Sequence, residues 1–265
     1  MRRHLFEWMD QPWLPGILRD AMRRYLSVAY RATPLPAQWA RALAALLDET
    51  GEVALVDLGS GADGPVGLVL DALAAHGHTP HVTFTDLYPV DGSPDATGRR
   101  RHWPTPVDAR AVPPSLQGVR TLFAVFHHFA PADARTVLRD AFEQRRSICV
   151  FEGTSRTPVA IASSLLIPLL VLVMMPAVRP RSALVLCFTY LVPVLPLLIF
   201  WDGLVSHLRT YTAEELSELT SGLDAPDYRW STGYLSAPGI PIVVPYLTGR
   251  CVRDVAGETP AATSA

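Results

Sequence analysis

The chain has 265 residues and a formal charge of -2, with a pI near 6.4. That length accommodates one α/β domain with an appendage, and the near-neutral charge removes the electrostatic case for a nucleic-acid partner. All 23 basic residues are arginine, which reads as coding bias, and the three cysteines, Cys149, Cys187 and Cys251, are odd in number, widely spaced and set in apolar sequence, predicting buried thiols rather than a disulfide or a metal site.

Residues 1–30 carry Arg2, Arg3, Glu7, Asp10, Arg19, Asp20, Arg23 and Arg24 with no apolar run between them. No cleavable signal peptide is expected, and the soluble part is expected in the cytoplasm. Residues 4–48 read as helices broken by Pro12, Pro15, Pro34 and Pro36. Leu18, Met22, Tyr25 and Leu26 share one helical face, as do Trp39, Leu43 and Leu47. Residues 1–50 are therefore expected to form a helical cover over a ligand cleft, or an N-terminal packing unit.

From residue 52 the pattern alternates. Strands are predicted at Val53–Leu58, His81–Asp86, Arg120–Phe126 and Ser147–Glu152, with helices at Pro65–Ala75 and Pro131–Glu143. Apolar strands separated by helices imply a doubly wound, mostly parallel sheet. Ligands in such sheets sit beyond the carboxyl ends of the strands. Asp57, Asp86 and His127-His128 all fall at such ends, so three strands point at one crevice.

Residues 158–201 interrupt that pattern. Pro158 to Val178 is 21 residues without a charge, and Ala183 to Trp201 is 19 more, separated by Arg179-Pro180-Arg181-Ser182. At about 1.5 Å per residue each run approximates the roughly 30 Å hydrocarbon core of a bilayer. The runs hold Pro168, Pro176, Pro193 and Pro196, which are tolerated better in lipid than in a water-exposed helix. A membrane hairpin is the expectation, with a buried hairpin at a dimer interface or around an apolar substrate as the competing reading. A full crossing would place Arg179 and Arg181 outside, against the positive-inside tendency; a hairpin seated in one leaflet removes that conflict.

Thr212-Ala213-Glu214-Glu215 is a capping box, predicting a helix from Ala213 to about Ser221 ending at Gly222. Tyr228–Tyr234 and Pro241–Leu247 read as a closing pair of strands, and residues 253–265 as a disordered tail. The cofactor-binding unit is then 51–156 with 205–252, and the hairpin insertion 157–204.

The most specific segment is Val56-Asp57-Leu58-Gly59-Ser60-Gly61-Ala62-Asp63-Gly64. An apolar strand, an acidic residue, a glycine pair and a helix start form a turn that lets backbone N–H groups approach a nucleotide-like ligand. Gly59-x-Gly61-x-x-Gly64 also matches the dinucleotide fingerprint, which keeps a nicotinamide-dependent reductase open. Two features argue against it. Asp57 occupies a slot that is usually apolar in nicotinamide enzymes, and Asp86 lies farther from the glycines than the usual ~20 residues.

The segment resembles the first motif of the class I S-adenosylmethionine-dependent methyltransferases, a seven-stranded α/β family. The resemblance covers roughly 50–155 and resumes at 205–250. It implies that Asp57, Gly59, Ser60 and Gly61 meet the methionine part of the cofactor. Asp86, followed by Leu87, would accept both ribose hydroxyls, a task suited to an acceptor-only carboxylate. Val107-Asp108-Ala109 would meet the adenine, with Asp108 taking its amino group. Phe126-His127-His128-Phe129 is similar to the segment after the fourth strand in small-molecule members. The third glycine of the usual Gly-x-Gly-x-Gly is Asp63 here. The order of motifs around the apolar run is similar to that of a bacterial subgroup of these enzymes.

For an acceptor that must lose a proton, His127 and His128 are the candidate bases because imidazole titrates near neutrality; a structural role at the strand end is the alternative. If the strand continues through them, only one faces the crevice. Asp202 is read as a helix N-cap or a partner of Arg209, or as a group that orients a substrate cation. Glu152 and Arg156 face the same choice. The segment from His4 to Trp13 closes over the acceptor or anchors Trp8 and Trp13 at a membrane surface. The resemblance implies a methyltransferase and carries over no substrate; together with the apolar hairpin, the expectation is a membrane-associated enzyme acting on an apolar small molecule or lipid. The competing readings are a non-catalytic cofactor-binding or assembly protein of the same fold, in which the hairpin serves as an oligomer surface, and the reductase.

Overall fold

In a computed structural model of the protein, residues 2–61, 64–89, 97–236, 239 and 242–252 are described. Ala62, Asp63 and the tail from residue 253 lie outside them, as do Pro241 and the expectations that fell there.

Seven strands form one sheet in the order β3-β2-β1-β4-β5-β7-β6. They are β1 Ala54–Leu58, β2 His81–Thr85, β3 Arg100–His102, β4 Val119–Phe123, β5 Ile148–Phe151, β6 Tyr228–Ser236 and β7 Val243–Cys251. β1 to β5 pair in parallel, while β7 runs antiparallel to both β5 and β6. Strand order reverses between β1 and β4, which puts the ligand crevice beside the carboxyl end of β1. The inner parallel strands β1, β4 and β5 are buried along almost their whole length because both faces are covered.

One face packs α2 (Leu35–Thr50) and α3 (Val66–Ala75). Trp39, Leu43, Leu47, Val69 and Leu73 meet Leu55 and Phe151 there, and all are buried. Removing Trp39 from this contact would cost about 3–5 kcal/mol. The other face packs α4 (Pro131–Glu143) and α9 (Ala213–Leu219) through Val137, Leu138 and Leu216 against Val56, Leu122 and Leu247. The Thr212 capping box forms as its spacing predicts: Glu215 N–H donates to the threonine hydroxyl and Thr212 N–H to the Glu215 carboxylate. The helix closes at Leu219, two residues short of expectation.

A third cluster stands apart from the sheet. α1 (Gly16–Arg31) turns Leu18, Met22 and Tyr25 onto the apolar insertion, meeting Val171, Met175, Leu195 and Ile199. Leu26, assigned to the same face, is exposed. The insertion consists of α5 (Pro158–Ser163), α6 (Ile167–Met174), α7 (Ala183–Leu186) and α8 (Val194–Arg209). Pro168 and Pro176 sit where the first run changes helical type, and Pro193 where the second run bends. Pro158–Ala177 is one apolar helical stretch, whereas Ala183–Leu191 and Val194–Arg209 meet at a 76° bend beside Pro193. α8 then runs without a break from the apolar insertion to the ends of the sheet strands.

Two local expectations are corrected. β4 stops at Phe123, because Ala124 turns into positive φ (+54°), and Phe126–His128 form a 3-10 turn. Cys149 is fully buried but Cys187 and Cys251 are partly exposed; all three are free thiols. Cys251 is the last residue of β7, which extends four residues past Leu247.

Candidate functional site

The tips of β1 and β2 are tied together. Gly59 and Ser60 N–H donate to the Thr85 carbonyl at 2.9 and 3.0 Å. The Asp57 carbonyl accepts the hydroxyls of Ser60 and Thr85 at 3.0 and 2.8 Å. Gly59 and Gly61 have φ of +72° and +55°, conformations that favour glycine. A Cβ on Gly59 would press to 3.1 Å from Val125, whereas one on Gly61 would meet nothing within 4 Å. The turn is therefore packed on one side and open on the other.

The Asp86 carboxylate bridges this turn, accepting Gly61 N–H at 2.9 Å and Tyr88 N–H at 2.8 Å. Its own carbonyl accepts Val107 N–H at 2.9 Å, bringing the 107–109 segment alongside. Asp57 lies beneath, buried, taking the Thr121 hydroxyl at 2.8 Å. Burial pushes its carboxyl up to about 7, against the hydrogen bonds from Ser60 and Thr121. Asp57, Gly59, Ser60, Gly61 and Asp86 thus meet at one corner, with Leu87 half exposed beside them. The Asp108 carboxylate is turned outward and held by Arg110 at 2.7–3.1 Å; that hydrogen bonding lowers its pKa. Ala109 is buried. Phe126 is a core side chain, fully buried among Phe129 and Tyr211. A carboxylate, an open glycine turn and a flanking segment meet at the switch point.

A cavity of about 460 Å³ opens at the ends of the next two strands, beside Ala124 after β4 and Gly153 after β5. Its walls come mostly from outside the sheet: Met22 and Leu26 of α1, Ile167 and Leu170 of α6, Ile199 of α8. A larger surface groove of about 760 Å³, between the end of α9 and the start of β6, contains none of the predicted site residues.

One end of the cavity is polar. Glu152, fully buried, accepts His127 Nδ1–H at 2.7 Å. Its other oxygen has no hydrogen-bond partner among the described residues. The imidazoles of His127 and His128 lie 4.4 Å apart with a 33° tilt. Because the 3-10 turn replaces strand here, both rings face the same cluster, correcting the expectation that only one would. The N-terminal segment passes over them. Its Glu7 is buried, 3.9 Å from His127 Nε2 and 3.8 Å from His128 Nε2, and accepts the Ser206 hydroxyl at 3.0 Å. Burial pushes Glu7 up to about 7. Arg209 joins Asp10 at 3.0 Å, His128 Nδ1 at 3.1 Å and Glu7 at 3.3 Å.

Asp202 is neither an N-cap nor an ion-pair partner of Arg209. It sits in the middle of α8 and accepts the N–H groups of Trp8 and Met9 at 2.7 and 3.0 Å. The strap is further fixed by Arg3 N–H on the Leu208 carbonyl and by Arg2 on the carbonyls of His127, Phe129 and Arg209. Arg156 pairs with Glu215 at 2.6 Å, away from Glu152. Sequence reasoning did not single out Glu7, Ser206 or the Arg209–His128 contact. The available signal was a carboxylate set between Phe6 and Trp8.

Glu7, His127 and His128 bring ligand-type atoms within 4.8 Å. His128 Nδ1 lies 3.1 Å from Arg209 and 3.4 Å from Asp10, so its role as donor or acceptor follows its tautomer.

Sheet order, switch-point corner and strand-end cavity together define the class I methyltransferase fold. No protein-family profile matches the chain, and no curated protein matches it in sequence. Among solved structures, the plantazolicin methyltransferase BpumL in complex with SAH aligns with a TM-score of 0.54 at 13% identity, covering 93% of each chain. Mitomycin 7-O-methyltransferase MmcR (TM-score 0.43, 18% identity, 82% of this chain and 54% of that one) is also found. So is the O-methyltransferase NcsB1 in complex with S-adenosylmethionine and 2-hydroxy-5-methyl naphthoic acid (0.41, 17%, 80% and 52%). The similarity to BpumL carries the fold.

Proposed function

We propose that the chain is an S-adenosylmethionine-dependent methyltransferase acting at the cytoplasmic face of the cell membrane on an apolar small molecule or lipid-like acceptor. The observation that carries the reading is the meeting of Asp57, Gly61, Asp86 and Val107 at the switch point, next to an apolar cavity. When bound, the cofactor would supply a methyl group activated on a sulfonium for in-line displacement. Asp86 would take the ribose hydroxyls, exchanging its bond to Gly61 N–H. Leu87 and Ala109 would flank the base. Asp108 would accept the adenine amino group only after sharing its carboxylate with Arg110. Phe126 would act through packing.

The residues of the cavity divide the remaining work. The walls exclude water, which favours alignment and suppresses hydrolysis. Glu152 fixes the His127 tautomer, leaving Nε2 with a lone pair at the polar end, and so makes His127 the better base of the two. His128, held between Arg209, Asp10 and Glu7, is a positioning group.

The exposed apolar side chains support the membrane. Leu165, Leu166, Leu169, Val173, Leu191 and Leu197 are all more than half exposed on the insertion, a set of apolar side chains of a kind soluble monomers rarely present. The opposite side of the same helices packs on α1 and walls the cavity, so a hairpin seated in one leaflet fits better than a crossing. Acceptor would then reach the cavity from the lipid.

Calorimetric titration with S-adenosylhomocysteine and NADPH tests the reading. Saturable heat with the former and none with the latter is expected. Heat with NADPH alone would favour the reductase and overturn the proposal. Cofactor binding without methyl transfer to any component of a lipid extract would support the non-catalytic assembly protein instead.

A further inference from the structure

We propose that the methyl acceptor is an amphiphilic amine, held by its nitrogen between Glu7 and His127 with its apolar body in the cavity. This rests on the methyltransferase reading and adds the chemical class of the acceptor.

The polar end of the cavity has an excess of carboxylates. Glu7, Glu152 and Asp202 are buried there, and Asp10 lies at the exposed rim. Among the described residues, Arg209 is the one arginine in an ion pair with any of the four, and it reaches Glu7 and Asp10. Arg2 engages main-chain carbonyls and Arg156 engages Glu215. Glu152 keeps one oxygen without a partner. Buried carboxylates without matching cations are costly. A bound ammonium relieves that cost, and a phenolate or alkoxide increases it.

Hydrogen bonding in the gap selects the same class. His127 Nε2 is an acceptor, because Nδ1 donates to Glu152. Glu7 Oε1 faces it across 3.9 Å, too far for a direct hydrogen bond. Two acceptors at that spacing can both take N–H groups from one nitrogen at about 2.8 Å, with an angle of about 90° between them. A hydroxyl has one proton and satisfies one acceptor only. The apolar walls, Met22, Leu26, Ile167, Leu170, Ile199 and Val244, accommodate a hydrocarbon body.

The chemistry balances. The protonated amine gives its first proton to His127 Nε2. The nitrogen lone pair then forms the N–CH3 bond as the S–CH3 bond breaks, and that bonding pair stays on sulfur as the thioether. Positive charge passes from sulfur to nitrogen, beside Glu7 and Asp202. Carboxylates there stabilise the transition state for nitrogen more than its ground state as a neutral amine.

The test uses full-length protein in lipid nanodiscs, saturated with S-adenosylhomocysteine, titrated with 4-octylbenzylamine and its isostere 4-octylbenzyl alcohol. One charge-assisted hydrogen bond predicts a preference for the amine of about 10- to 100-fold. Glu7→Gln should bring the ratio towards one while leaving S-adenosylhomocysteine affinity unchanged. With S-adenosylmethionine, mass spectrometry should find N-methylated amine and no ether. Equal binding of the pair by the unmodified protein, or preferential methylation of the alcohol or of 4-octylphenol, would overturn the proposal while leaving the methyltransferase reading intact. Failure to bind S-adenosylhomocysteine would overturn that reading and this proposal with it.

Discussion

Replacing Leu165, Leu169 and Leu191 together by glutamine tests the membrane reading. These side chains are 71%, 58% and 79% exposed. Full burial of a leucine is worth roughly 1.5–3 kcal/mol. The exposed fractions leave about 1–2 kcal/mol each to be gained on entering lipid, or about 3–6 kcal/mol for the three. Partitioning to vesicles should therefore fall by about two to four powers of ten. Folding stability should change little, because substitutions at exposed positions are usually within about ±0.5 kcal/mol. Co-sedimentation with phospholipid vesicles, with circular dichroism as the control on folding, reads both. Undiminished pelleting of the triple variant, or wild-type protein remaining in the supernatant, would refute the reasoning.

Other predictions follow from the site. Asp86→Ala should abolish measurable S-adenosylhomocysteine binding, since two charge-assisted bonds to a ribose are together worth about two powers of ten or more; calorimetry with unaltered affinity would contradict the cofactor corner. Glu152→Ala should lower kcat by about 10²–10⁴-fold, with cofactor affinity preserved, because His127 loses its fixed tautomer; an unchanged pH–rate profile would remove His127 as the base. Stability should fall as pH rises from about 4 to 7. Burial lifts Asp57 and Glu7 to about 7 and Asp202 to about 6. A carboxyl with a raised native pKa takes up a proton on folding, so its contribution is present below its unfolded pKa and is lost as pH rises through the native one. Thermal melts should show a higher Tm at pH 5.5 than at 7.5, with a smaller difference in Asp57→Asn; a higher Tm at 7.5 would reverse the sign.

The sheet was legible where strands are apolar and end in glycine or a carboxylate. β1, β2 and β5 fall within one residue of prediction at each end. β3 escaped because Arg100-Arg101-His102 is a three-residue polar edge with no apolar pattern. The end of β4 was misread because nothing marks Ala124 as a residue of positive φ; such strain is imposed by the fold and recurs at functional sites. The meeting of Asp57, Gly61 and Asp86 was legible because these residues lie on consecutive strand tips, where topology alone decides proximity. The polar end of the cavity was not. Glu7 reaches His127 across 120 positions through a strap with no regular secondary structure, held by Asp202 and Arg209 of a helix that starts in the apolar insertion. No periodicity encodes that kind of contact.

The strap, α1, α6 and α8 carry most of the cavity, and only its floor belongs to the sheet. On the proposed function, grip on the methyl donor and choice of recipient would rest on separate stretches of polypeptide. Altering side chains on α1 or the insertion would then retarget the protein to new molecules without disturbing the strand tips, giving an engineer one half to leave alone and another to redraw.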